Sequence, residues 1–436
     1  MKQHRILIAT DVPFWRRSTG AQVRIRSLVD YLVAESFVVR TFYLGQTNSQ
    51  WYTEDDCRLI AEQKLDIEQQ SSDQMPTSWH EKIGWYANQI RPKLSGNSGG
   101  NENDEAVADQ TAAPPTSSLR LEDFRWPWAS KAFGESIDRF QPDSILIQYV
   151  KLSYLIDALT PQQRNSIHCA LDTHDALHVR CEMFEQRGLA HWIDISREEE
   201  ATELDKFDTV IAIQPEEAEL FEQMAPHANV IVCGHAAETS VANADRETTM
   251  LSIGYLGSTN DSNAQAIEDF LANVWQLLQK KLAQKTSKEA PPQPALEIEL
   301  VIGGSISQRV AQKFVDENSA NVRLLGFVED ITEFYNAVDV VINPVEFGTG
   351  LKIKSVEGLA FGKPLLTTPA GVVGVEPNDA IIVCQSAEQF RNKLEQLARN
   401  PGQLASLKQA AAKAAKSKFS PQQVYSPLER VLFQGK

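Results

Sequence analysis

Apolar runs and amphipathic stretches alternate along this chain, stop, and then begin the same alternation again. The segment RILIAT at residues 5–10 reads as a buried strand. Residues 21–35 carry Val23, Ile25, Leu28, Val29 and Leu32 at the spacing of an amphipathic helix. Residues 37–44 are β-rich, and further strands are expected at 144–150, 167–171, 209–213 and 229–233, with helical patterns between them. Near Leu251 the alternation restarts: LSIGYLGS is a strand with a glycine turn, and 263–278 is helical. LEIELVIGG, NVRLLGFV, VDVVINPV, PLLTTPA and IIVCQS then follow as strands. A helix between two strands carries the chain back to the starting end of the sheet, so the strands pair in parallel. The fold class is therefore α/β, two Rossmann-like doubly wound parallel sheets in tandem. The expected domains are 1–240 and 245–416. The helical tail 417–436 is expected to cross back onto the first half.

Two segments fall outside this alternation. Residues 95–118 are small, polar and turn-forming, too poor in apolar area to offset ordering, and read as a disordered loop within an insertion at 46–120. Residues 285–294 (KTSKEAPPQP) read as a connection between a helix and a strand. Within the insertion, WHEKIGWYANQIRPKL at 79–94 leaves two readings open, a peripheral membrane or acceptor-groove contact and, more ordinarily, a helix packed on the first domain.

The formal charge is −16, which argues against a nucleic-acid partner held by bulk attraction to phosphate. The excess is uneven, because residues 1–45 hold seven Lys or Arg against three Asp or Glu. Five scattered cysteines with no C-x-x-C pair suit a reduced, cytoplasmic protein, and no run of eighteen apolar residues occurs.

Chemistry concentrates at residues 346–368, EFGTGLKIKSVEGLAFGKPLLTT. A strand ends in a glycine-rich turn and a helix starts near Leu351. Gly348 and Gly350 let the backbone approach a ligand, and the free N–H groups of a helix start favour an anion. Lys352 and Lys354 add positive charge, and Glu357, one turn beyond Lys354, can accept hydrogen bonds from hydroxyls. An anion clamp beside a hydroxyl acceptor suits a nucleoside diphosphate. The plain alternative is a surface turn with an i,i+3 Lys354–Glu357 pair.

This stretch, with its GTG turn, Glu357 and AFGKP, resembles the signature of retaining, nucleotide-sugar-dependent glycosyltransferases of the GT-B fold, the E-x(7)-E-type family. NVRLLGFVEDITEFYNAVDVVINP resembles the strand–helix–strand that precedes it in the family. The resemblance implies that Glu357 binds ribose hydroxyls. It puts Thr349 at the position of the motif's first Glu, with Glu346 near but out of register. Leu351 lies in the same donor turn, and Val328 falls where the family's backbone meets the base. The family carries an Arg and a Lys after the first strand of the second half. Here GYLGSTNDSN offers Ser258 and no basic residue, so Lys352 and Lys354 are expected to compensate.

In the first half, the strand SIHCALDTHD ends in Asp172, His174 and Asp175, at the edge where ligands bind in such sheets. The resemblance makes His174 the histidine that meets the donor sugar. It brings the Gly20 loop near the donor phosphates. Arg16, Arg17 and Asp175 fall on the acceptor side. At least one of Arg24 and Arg26 reads as a solvated position on the first helix, and the acidic run at 197–208 as a solvated helix face. His174 and His178 also fit H-[E/D]-x-x-H loosely.

The activity expected from the resemblance is transfer of a sugar, with retention, from a nucleoside diphosphate sugar to an unknown glycan, lipid-linked or small-molecule acceptor. The donor is a substrate, and no cofactor is expected. The alternatives are a sugar-nucleotide epimerase, a non-catalytic nucleotide-sugar-binding protein and a zinc hydrolase using His174 and His178.

Overall fold

In the computed structural model, residues 3–17, 19–45, 54–69, 118–188, 191–237, 250–259, 261–285, 297–313, 321–328, 330–348 and 350–434 are described. Residues 79–94, the segment 95–117 and Thr349 lie outside them.

The first sheet is built from β1 (Arg5–Thr10), β2 (Val38–Tyr43), β3 (Ile67–Gln69), β4 (Ser144–Gln148), β5 (His168–Asp172), β6 (Thr209–Ala212) and β7 (Asn229–Val232). Its order is β3-β2-β1-β4-β5-β6-β7, all parallel. The second comprises β8 (Met250–Leu256), β9 (Glu297–Gly303), β10 (Val322–Gly326), β11 (Val340–Asn343), β12 (Leu365–Thr367) and β13 (Ile381–Val383). Its order, β10-β9-β8-β11-β12-β13, repeats that of the first, again in parallel. In both, the order reverses beside the first strand, the switch point that opens a crevice at the strands' carboxyl ends.

Both faces of each sheet are covered, which explains why the central strands read as continuous apolar runs. Along β1, Leu7 and Ala9 enter one core and Ile6 and Ile8 the other. In the second half Leu300 and Ile302 pack on one side and Val301 on the other.

Seven helices position the site. They are α1 (Gly20–Ala34), α2 (Leu177–Glu185), α3 (Arg197–Leu204), α4 (Pro215–Met224), α5 (Asp261–Phe270), α6 (Ile353–Ala360) and α7 (Pro421–Gln434). Helix α1 starts at a capping box, in which Gln22 N–H donates to Thr19 Oγ1 while Thr19 N–H donates to Gln22 Oε1. Helix α7 follows the second half in sequence but packs on the first. Tyr425, Leu428 and Leu432, all buried, join the core beneath α1, and Tyr31 donates to Glu429 at 2.5 Å.

The two halves meet at their crevices. A Cβ on Gly20 would stand 2.5 Å from Ile353, one on Gly350 3.1 Å from Asp175 Oδ1, and one on Gly374 2.1 Å from Gln214 Oε1.

Candidate active site

The turn after β11 is held open by two left-handed glycines, Gly348 at φ 124° and Gly350 at φ 69°. Lys352 folds back over it, donating to Gly348 O at 2.7 Å and Gly350 O at 3.0 Å. Its charge therefore sits inside the turn. Burial pushes its pKa down to about 8, against the pull of Asp175.

Lys354 reaches the other way, into the turn after β8. It donates to Asn263 Oδ1 at 2.5 Å and Tyr255 OH at 3.2 Å, with Nζ 4.5 Å from the Tyr255 ring centroid. Asn263 in turn donates to Ser258 Oγ at 3.1 Å, so Ser258, Asn263 and Lys354 form one chain. Burial lowers the Lys354 pKa to about 7, against Glu357, with Lys352 pushing the same way as burial. A buried cation beside a helix start, short of a full counter-charge, is a site built for an anion.

Glu357 is 7% exposed, and Lys354 is not its hydrogen-bond partner. This corrects the surface-pair reading: on the short helix α6 the carboxylate turns inward. Oε2 accepts from Tyr335 OH at 3.2 Å, and Oε1 lies 3.8 Å from His235 Nε2. Tyr335 is fully buried and stacks on Phe361 at 4.6 Å, which fixes the direction of its hydroxyl. Burial, reinforced by Glu357, holds the Tyr335 pKa far above its usual value, so it donates at any working pH. Val328 is half-buried against the core under α6.

Across the crevice, His174 takes a left-handed backbone at φ 63°. Its Nε2 donates to Gln148 Oε1 at 2.6 Å, and its ring stacks on Tyr149 at 4.0 Å with an 11° tilt. Burial drives its pKa down to about 4, opposed by Asp172 and helped by Arg24, so the imidazole is neutral at pH 7. Asp175 accepts from Arg180 Nη1 at 2.7 Å and stands against Gly350. On the same side, burial and Asp175 raise the Glu217 carboxyl to about 8.

Several side chains sit elsewhere than their sequence pattern implied. Arg24 is 1% exposed and paired with Asp172, and Arg26 is buried against Asp30, so neither is a solvated helix position. Both are buried, where a charge needs a partner. Arg16 forks onto Asp56, and Arg17 pairs with Asp30 at 3.3 Å, so these two turn toward their own domain. In the acidic run, Glu200 and Glu203 are buried one turn apart. Glu200 accepts from the Leu177 and His178 N–H groups, and Glu203 from Ser153. His174 precedes α2, and His178 Nδ1 donates to Glu200 at 2.5 Å, so the two imidazoles serve different partners. Among the described residues no group of three His, Cys, Asp or Glu is arranged to hold a metal ion.

Sequence reasoning missed Tyr335, His235, Gln148 and the buried role of Arg24. Only His235, directly after a glycine at the carboxyl end of β7, carried a local signal.

Residues 251–400, about a third of the chain, match the family model for glycosyl transferases group 1. The second half belongs to the glycosyl transferases group 1 family. The complete chain has the GT-B architecture, two parallel-sheet domains around a crevice. Sucrose-phosphate synthase from Thermosynechococcus elongatus superposes with a TM-score of 0.65 at 14% identity, covering 99% of both chains. HepE from Anabaena, in a complex with UDP-glucose, gives 0.59 at 14% identity over 99% of both. TarM gives 0.63 at 11% identity, also over 99% of both. No curated protein matches the chain in sequence. In the group 1 domain, the match spans the glycine turn, Lys352, Lys354 and Glu357. Among the described residues no helix is long and apolar enough to cross a membrane.

Proposed function

We propose that this chain is a retaining glycosyltransferase that takes its sugar from a nucleoside diphosphate sugar. The observation carrying this reading is the packing of the Gly350 turn against Asp175, next to His174, which faces the anion-binding helix start of the group 1 domain toward the first-half histidine. Lys354 and the N–H groups at the start of α6 would hold the diphosphate, with Ser258 and Lys352 at its edges. Glu357, aimed by Tyr335, would accept from ribose hydroxyls.

In the reaction, the bond from the anomeric carbon to the diphosphate oxygen breaks with its electron pair going to the phosphate. The acceptor oxygen bonds to the same face of the anomeric carbon, and its proton passes to the departing phosphate. Stabilising the charge on that phosphate is then the main catalytic contribution, supplied by fixed donors in a water-poor crevice. A neutral His174, with its single N–H given to Gln148, can accept a hydrogen bond from a sugar hydroxyl at Nδ1 without adding a second cation near the oxocarbenium-like centre.

UDP-sugars come first in testing, since HepE was solved with UDP-glucose and Staphylococcus aureus TarM with UDP. The test is hydrolysis or transfer from a panel of UDP-, ADP- and GDP-sugars, with the anomeric configuration of the product read by proton NMR. Release of nucleotide that depends on Glu357 and Lys354, with the configuration kept, supports the proposal. Donor consumption unchanged in Glu357→Ala and Lys354→Ala defeats it.

A further inference from the structure

Arg24 is buried, and its guanidinium is held by a carboxylate and two carbonyls. Its guanidinium grips Asp172 with two nitrogens, Nη2 to Oδ1 at 2.7 Å and Nε to Oδ2 at 3.2 Å. It also donates from Nη2 to Cys233 O at 2.9 Å, and from Nη1 to Gly234 O. Each partner leads to a group of the proposed site. Asp172 Oδ2 lies 3.7 Å from His174 Nε2. Gly234 is followed by His235, whose ring lies 3.8 Å from Glu357 Oε1. His235 is 2% exposed, and neither ring nitrogen has a hydrogen-bond partner among the described residues. A buried imidazole left unpaired is costly, and here it is aimed at the carboxylate assigned to ribose.

We propose that Arg24 is a positioning residue that sets His174, through Asp172, and Glu357, through the 233–235 segment and His235, in one fixed relation across the crevice. The proposal rests on the glycosyl-transfer reading and goes beyond it, because Arg24 and His235 both lie outside the segment that the family model matches. Arginine is required rather than any cation. Only a planar fork with five donors can hold a carboxylate with two nitrogens and still serve two carbonyls, whereas lysine offers three donors from one point. His235 completes the arrangement: with Tyr335 on one oxygen of Glu357 and the imidazole beside the other, the carboxylate keeps one orientation when a ribose arrives. Because Arg24 lies on α1, whose first residue abuts Ile353, the same helix meets both halves.

Three variants separate the two branches. Nucleoside diphosphate binding is measured by calorimetry with UDP, ADP and GDP, and kcat with the donor consumed in the panel above. Arg24→Lys is expected to weaken nucleotide binding and to lower kcat, each about tenfold. Asp172→Asn should lower kcat by about tenfold and leave nucleotide binding within about twofold, whereas His235→Ala should do the reverse. A role confined to stability would lower Tm and leave both parameters of the folded fraction unchanged. Folded Arg24→Lys with binding and kcat near wild type overturns the proposal. Should Arg24→Lys not fold, Asp172→Asn and His235→Ala decide: effects that do not separate overturn it. If the wild type binds none of the three nucleotides, the nucleotide-sugar reading itself fails and takes this proposal with it. Binding by the wild type with unchanged variants defeats this proposal alone.

Discussion

Gly20 and Ile353 hold the two halves so close that a methyl group on Gly20 fits only if the Ile353 side chain shifts, since a Cβ there would lie 2.5 Å from Ile353 Cδ1. Each residue opens a helix, α1 in the first half and α6 in the second. For Gly20→Ala two effects compete. Alanine is the better helix former by up to about 1 kcal/mol, while overpacking costs about 1–3 kcal/mol. The clash bears on the approach of the halves and the propensity on one helix. Tm is therefore expected to change little while kcat/KM falls about tenfold, and Ile353→Ala in the same chain restores it. Activity left intact by Gly20→Ala would show that the contact is not needed for turnover.

Lys354 sets a pH dependence for donor binding. With its pKa lowered to about 7 by burial, a growing fraction is neutral above that pH. A diphosphate favours the ammonium, so binding takes up a proton. Affinity should fall as pH rises from 7 to 9, by up to about tenfold per pH unit. Calorimetry in buffers of different ionisation enthalpy counts the proton. Lys354→Met should bind more weakly and lose this part of the slope. A slope unchanged in that variant would move its origin to another group.

Tyr335→Phe removes the donor to Glu357 Oε2 and keeps the stacking on Phe361. A hydrogen bond to a charged group is worth about 1.5–3 kcal/mol. Nucleotide binding is expected to weaken at least about tenfold, with a Tm shift of only a few degrees. If binding is unaffected, Glu357 is oriented by something other than this phenol.

Glu217 should make its neighbourhood less stable in alkali. Burial first, and then Asp175, raise its pKa from 4.5 to about 8. The folded protein therefore keeps a proton that the unfolded chain releases. Its contribution is fully present below pH 4.5 and is lost as pH rises to about 8. Glu217→Gln cannot ionise. Its stability relative to wild type should increase across this window and level off above it, measured by urea unfolding at pH 5, 6.5 and 8.5. A pH-independent difference would mean that Glu217 is ionised in the folded protein.

The two sheets were legible in the sequence because the stretch of a strand covered on both faces must be apolar, as ILIA in RILIAT and LVIG in LEIELVIGG are. The first helix was legible from the spacing of Val23, Ile25, Leu28, Val29 and Leu32. Glu357 and Lys354 were also recognisable, being three residues apart on one helix beside a glycine turn. Their partners were not. Tyr335 reads in the sequence as one aromatic among several, and Arg24 as a polar residue on an amphipathic helix.

The sequence by itself thus determined two parallel-sheet halves, the glycine turn and the carboxylate–lysine helix beyond it, because each depends on residues within a few positions of one another. Only the tertiary structure decided where the charges went. Arg24 is 148 residues from Asp172, and His235 is 122 from Glu357. Whether such a group is solvated or buried depends on which elements the two sheets bring together. Burial is costly for a charge without a partner, so the crevice, and not the local pattern, selected the pairs.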